Sequence, residues 1–222
     1  MDDAVDVINM SLGSSYGQIQ DDLSLASANA VKAGVVVVAS AGNSADRPFI
    51  TGSPAATPEV LSVAQTEVPS ALAFPLVVNS PASIAGTYTN TATVEWAPVE
   101  GHSVTGDVVP VATLACNGQA LPANLAGNVA LINRGSCAVS QKVRNATDAG
   151  ATAVVIGLVA AGDAVSFSNG GECVPDGSNC APTLVVTQPV SEAIFAALAG
   201  GTAVSATISD AAAFSRDSWI VN

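Results

Sequence analysis

Basic residues are scarce. Lys and Arg total 6 against 18 Asp and Glu, a formal charge of -12. Nucleic-acid binding needs a basic footprint, so that class is excluded, and an anionic membrane surface offers no attraction. The acidity is read as solubility outside a cell. No run of about 20 apolar residues occurs, which excludes a transmembrane helix. The N-terminus, Met1-Asp2-Asp3-Ala4-Val5-Asp6, is acidic where a signal peptide would be basic, so no targeting segment is visible. An acidic start that runs straight into an apolar strand suggests a segment beginning inside a domain. Charged residues make up only 11% and hydrophobic ones 49% of the 222 residues, enough for a substantial core in one large or two small domains.

Four cysteines allow three connectivities. Nearest pairing closes two local loops, Cys116–Cys137 and Cys173–Cys180. A zinc site is the rival, but there is no Cys-x-x-Cys knuckle, and the one histidine, His102, is far from the cysteines in sequence. Disulfides imply an oxidising compartment.

The first third of the chain reads as strand, helix, strand. Val5 to Met10 is an apolar strand, and Ser11-Leu12-Gly13-Ser14-Ser15 is a loop. Asp21 to Ala33 is a helix with Leu23, Ala26 and Ala30 on one face and Gly34 as its stop, and Val35 to Ser40 is a second apolar strand. That order predicts a right-handed parallel βαβ unit. Ligands of open α/β sheets bind at the carboxyl ends of such strands, and both Ser11-Leu12-Gly13 and Ala41-Gly42-Asn43 lie at that edge.

From about Glu67 prolines punctuate short strands, among them Leu76–Val78, Thr91–Trp96 and Asp107–Ala112. Val129 to Ile132 is then a continuous apolar run, as in a strand covered on both faces. Gln141 to Ala149 carries Val143, Ala146 and Ala149 on one helix stripe, with Gly150 where a helix takes a left-handed terminator. Ala153 to Ile156 is the next strand. A long polar loop from Ala164 to Pro182 is a candidate contact surface. Thr183–Val186, a short helix that Gln188-Pro189-Val190-Ser191 starts and that continues over Glu192–Ala199 with Pro189 near its first turn, and a strand at Ala203–Ile208 follow.

The residues are more specific than their periodicity. Gly127-x-Val-Ala-Leu-Ile-x-Arg134-Gly-x-Cys137, then Lys142-Val143-x-Asn145-Ala146 and Ala149-Gly150-Ala151, resembles the protease-associated (PA) domain, a β-rich module found as an insert in secreted proteases. That resemblance implies the same local cysteine pairing. Asp6-Val-Ile-Asn-Met-Ser-Leu-Gly13, Ala33-Gly34 through Ala41-Gly42-Asn43, Ser53-Pro54-Ala55 and Val60-Leu-Ser-Val-Ala64 resemble the core of subtilisin-like serine proteases. Together these imply an α/β chain: a partial subtilisin-like parallel sheet at residues 1–66, a β-rich α+β PA domain at 67–209, and returning protease core at 210–222.

In that family the residue matching Asn43 places its side-chain amide in the oxyanion hole, a neutral donor facing the developing oxyanion. Taken alone, Asn43 is an ordinary turn residue. Ser11, Leu12 and Gly13 match the segment whose backbone pairs with an extended substrate, and Ala39 to Gly42, Ala41 and Gly42 foremost, match one wall of the primary specificity pocket. The family's Asp, His and Ser segments are absent: His102 sits in Glu-Gly-His-Ser, unlike the family helix, and neither Gly86-Thr87 nor Gly201-Thr202 continues to Ser-Met-Ala. The expectation is therefore an internal, inactive segment of a secreted serine endopeptidase. Its partners would be protein or peptide, with no cofactor unless the parent holds calcium, and no metal site here. The alternative is a PA-type binding module using the Asn169–Cys180 loop. A PA-bearing zinc aminopeptidase would need clusters of His, Asp and Glu, and one histidine argues against it.

Overall fold

The computed structural model describes residues 4–42, 47–64, 71–174 and 176–216. They divide into two compact units, residues 1–68 and 69–221.

The first unit is a three-stranded parallel sheet, β1 (Val7–Met10), β2 (Val36–Ser40) and β3 (Leu61–Val63), with β2 central. Helix α1 (Asp22–Lys32) links β1 to β2. Asp21 caps it, accepting the Ser24 amide at 2.9 Å. Gly34, at φ +96°, ends it where a side chain would be strained. The buried face of α1 differs from the expected one: Leu23 is exposed and Ser24, Ser27 and Ala28 are buried. Small hydroxyls can be buried here because each is satisfied, Ser24 Oγ by Asp21 Oδ2 at 2.9 Å and Ser27 Oγ by the Leu23 carbonyl at 2.7 Å. The small core is Val37, Ala39, Ala55 and Val60, with Ile8, Met10, Ala30 and Val31 packed on it. On the other sheet face Val7, Val36, Leu61 and Val63 stand exposed, although parallel sheets are ordinarily covered on both sides.

The second unit is an eight-stranded mixed sheet. In chain order its strands are β5 (Leu76–Ser80), β6 (Gly86–Tyr88), β7 (Thr91–Thr93), β8 (Ser103–Pro110), β9 (Val129–Asn133), β10 (Ala153–Gly157), β11 (Thr183–Val186) and β12 (Ser205–Ser209). Their spatial order is β6-β5-β12-β8-β9-β10-β11-β7. The four from β8 to β11 run parallel, and the outer pairings are antiparallel. Helix α2 (Val139–Asp148) covers one face with Val143 and Ala146, and α3 (Gln188–Ala199) covers the other with Ile194. Covered on both sides, the interior of β9 is fully buried from Val129 to Ile132. Gly157 has no room for a side chain, since a Cβ there would lie 2.5 Å from Ser191 Cβ on α3.

A further antiparallel pair, β4 (Ala71–Ala73) with β13 (Phe214–Arg216), brings the beginning and end of this unit together. The disulfides are Cys116–Cys137 and Cys173–Cys180, each with Cα atoms 5.8 Å apart. The segment between β10 and β11 holds no strand or helix among its described residues.

Candidate functional site

Three elements build the site in the first unit. In the β1–β2 ladder Met10 sits beside Ala39, so the segments that leave the two strands emerge side by side. Ser11, Leu12 and Gly13 are exposed where β1 ends, and Gly42 is exposed where β2 ends with Ala41 half-buried. Ser40 Oγ donates to the Leu12 carbonyl at 3.4 Å, joining the two exits. Asn43 lies outside the described residues. Gly42 has φ +105° and nothing near its missing Cβ, so glycine is required by backbone conformation rather than by space.

The third element, residues 50–53, backs the edge. Ser14 and Ser53 form an antiparallel bridge, with Ser53 N donating to the Ser14 carbonyl at 3.0 Å and Ser14 N to the Ser53 carbonyl at 3.2 Å. Gly17 N donates to the Thr51 carbonyl at 2.9 Å, and Gly52 N to that of Ala41 at 3.3 Å. Backbones approach so closely that glycine is obligatory: a Cβ on Gly13 would lie 2.7 Å from the Ser53 carbonyl oxygen, and one on Gly52 would lie 2.2 Å from that of Ser14.

A polar knot fastens this backing to α1. The buried Ser53 hydroxyl accepts from the Gln18 amide at 2.9 Å and donates to the Asp21 carboxylate. Those hydrogen bonds, Ser53 first and the Ser24 amide next, hold the Asp21 carboxyl below its usual range. Sequence reasoning missed the knot. Asp21-x-x-Ser24 was a readable cap, but nothing local joins Asp21 to Ser53, 32 positions away.

An apolar cavity of about 450 Å³ lies beside the start of β1 and α1, lined by Val5, Ile8, Ala26, Ala30 and Val35, and includes neither strand exit. In the second unit His102 is exposed just before β8, its carbonyl accepting the Asp210 amide. The Asn169–Cys180 loop is satisfied largely from within and by α2. Asn169 Oδ1 accepts the Gly171 amide, Asn179 Oδ1 accepts that of Val174, Arg144 donates to the Asn179 carbonyl, and Ser140 donates to Glu172 at 2.5 Å. Among the described residues no three His, Cys, Asp or Glu side chains gather into a metal-binding group.

The model of the subtilase family matches residues 1–216. The minor extracellular protease Vpr of Bacillus subtilis (strain 168) is 32% identical over 163 residues, covering 69% of this chain and 18% of that protein. The subtilisin-like protease SBT5.6 of Arabidopsis thaliana is 31% identical over 200 residues, covering 86% of this chain and 24% of its own. The chain thus spans about a fifth to a quarter of the length of these relatives. Among solved structures, the aminopeptidase from Aneurinibacillus sp. strain AM-1 matches with TM-score 0.50 and 24% identity, over 66% of this chain and 33% of that one. That likeness is one of fold.

Proposed function

The chain belongs to the subtilase family, and from that premise we propose that it carries the substrate edge and the oxyanion donor of a secreted serine endopeptidase. The observation that supports this most is the joined pair of strand exits. Ser11–Gly13 and Ala41–Gly42 leave neighbouring parallel strands side by side, held by Ser40 and backed by Gly52 and Ser53. An extended peptide would add to the Ser11-Leu12-Gly13 edge by main-chain hydrogen bonds. Ala41 and Gly42, having little side chain, leave space for a substrate side chain. Asn43 then donates to the oxyanion as the tetrahedral intermediate forms.

Acyl transfer also needs a nucleophile, a base and a group to orient the base. With one exposed histidine and no serine beside it in any recognisable motif, this chain supplies none of them, so by itself it is inactive. The eight-stranded unit is read as the PA insert, from its Gly127–Ala151 residue pattern and the meeting of its two ends through β4 and β13. Its role is to shape access to the cleft.

Gly13→Ala tests the edge. In a catalytically complete enzyme containing this segment, the added methyl pushes against the Ser53 carbonyl and displaces the edge. Main-chain pairing is shared by ground and transition states, so KM for extended peptides should rise while kcat changes little. An unchanged KM would remove the edge from the account.

A further inference from the structure

Lys142 is the largest fully buried side chain of the described residues, with 0% exposure, and burial alone, with no charged neighbour, shifts its pKa. Its Nζ donates to the Leu114 carbonyl at 2.6 Å and lies 3.9 Å from Cys116 Sγ. Burial pushes its pKa down to about 8, so the ammonium remains its main form at neutral pH.

The two disulfides differ in access. Cys173 and Cys180 are 3% and 8% exposed, whereas Cys116 and Cys137 are both half-buried. Cys137 lies in the turn after β9, one residue before the α2 N-cap Ala138. The positive end of α2 is already answered by Glu172, which accepts from Ser140 in its first turn. Cys116 is the sulfur with an ammonium beside it. Hydrogen bonds besides the S–S bond hold its loop: Asn145 Nδ2 donates to the Ala115 carbonyl at 2.8 Å, and the Asn117 amide to Gln141 Oε1 at 3.3 Å.

We propose that Cys116–Cys137 is a thiol-exchange site for low-molecular-weight thiols, with Cys137 the sulfur attacked and Cys116 the leaving group held by Lys142. The incoming thiol loses its proton to solvent and its thiolate attacks Cys137 Sγ. The Cys116–Cys137 bond breaks, a mixed disulfide forms on Cys137, and the electron pair leaves with Cys116 as a thiolate paired to the Lys142 ammonium. A stabilised leaving thiolate departs faster and fixes which sulfur is attacked.

The test is reduced glutathione added to the folded chain, followed by acid quench, alkylation and peptide mass spectrometry. Cys116–Cys137 should open before Cys173–Cys180, with glutathione on Cys137 and alkyl on Cys116. Lys142→Met should slow the opening about tenfold and spread glutathione over both cysteines. Opening of Cys173–Cys180 first, glutathione on Cys116, or no slowing in Lys142→Met would overturn the assignment. Because Lys142→Met also unpairs the Leu114 carbonyl, Cys137→Ser supplies a second readout. Free Cys116 should alkylate with a midpoint pH below the ordinary thiol value of about 8.5. A midpoint at or above that value would equally overturn it. Neither readout depends on the protease assignment.

Discussion

Asn43→Ala, made in a catalytically complete enzyme that contains this segment, is expected to lower kcat by about 10²–10³ and leave KM near its starting value. The figure is the one associated with subtilisin itself, where loss of one oxyanion-hole donor costs about 2.7–4 kcal/mol. The amide should matter little to the ground-state carbonyl, which is already planar and neutral. It should matter once attack places a full negative charge on the oxygen. The effect should therefore fall on kcat and kcat/KM alike. Asn43→Asp should be at least as damaging, because it sets a negative group against the oxyanion. A loss confined to KM would make Asn43 a substrate-binding turn residue instead. Gly13→Ala, acting through the peptide backbone, should give the reverse split.

Leu131→Ala is expected to destabilise the second unit by about 2–5 kcal/mol. Leu131 is fully buried near the middle of β9, itself flanked by β8 and β10, and its side chain belongs to the apolar cluster on the α3 face of the sheet. Truncation there loses transfer free energy and leaves a cavity, since β-ladders on both sides prevent the backbone from closing in. Against a total stability of about 5–15 kcal/mol for an ordinary domain, that loss is large. Leu72→Ala is the contrasting case: Leu72 in β4 is 57% exposed, and its truncation should stay within about 0.5 kcal/mol. Urea midpoints for the two variants check the pair. Equal midpoints would mean that the buried sheet is not what holds this unit.

The parts of the fold that were legible are those where one physical demand dominates. A strand covered on both faces must be apolar throughout, and Val129–Ile132 says so directly. Gly150 terminates α2 with φ +91°, a conformation that other residues avoid. Boundaries were harder. Helix α2 begins at Val139 rather than Gln141, whereas α3 begins at Gln188, the start that Gln188-Pro189-Val190-Ser191 indicates. The polar Ser140-Gln141 pair after Val139 hides the start of the α2 stripe, whereas Pro189 marks the start of α3. β8 begins at Ser103, four residues before the expected Asp107, because its first half is largely exposed and so is not apolar. The strand expected over Thr91–Trp96 stops at Thr93.

The buried face of α1 departs from its apolar stripe for a reason specific to its partners. Leu23 looked like core, but Asp21 and Ser53 draw Ser24 inward, and that attraction is set by a residue remote in sequence. Lys142 was legible only as a letter in a family pattern, since lysine is ordinarily solvated and its burial depends on the Leu114 carbonyl reaching it. In the candidate site, Ser11–Gly13 and Ala41–Gly42 were placed by the carboxyl-end rule for parallel strands. The glycine contacts behind them, at Gly17 and Gly52, came only with the tertiary structure.

Peptide hydrolysis by the folded 222-residue chain is the measurement to make. A substrate edge and an oxyanion donor stabilise a transition state only once something attacks the carbonyl, and no attacking group is recognisable here. The expected result is no turnover above background with any extended peptide. A turnover that survives purification and disappears in Asn43→Ala would contradict this, and would mean that a nucleophile and its base lie within these residues.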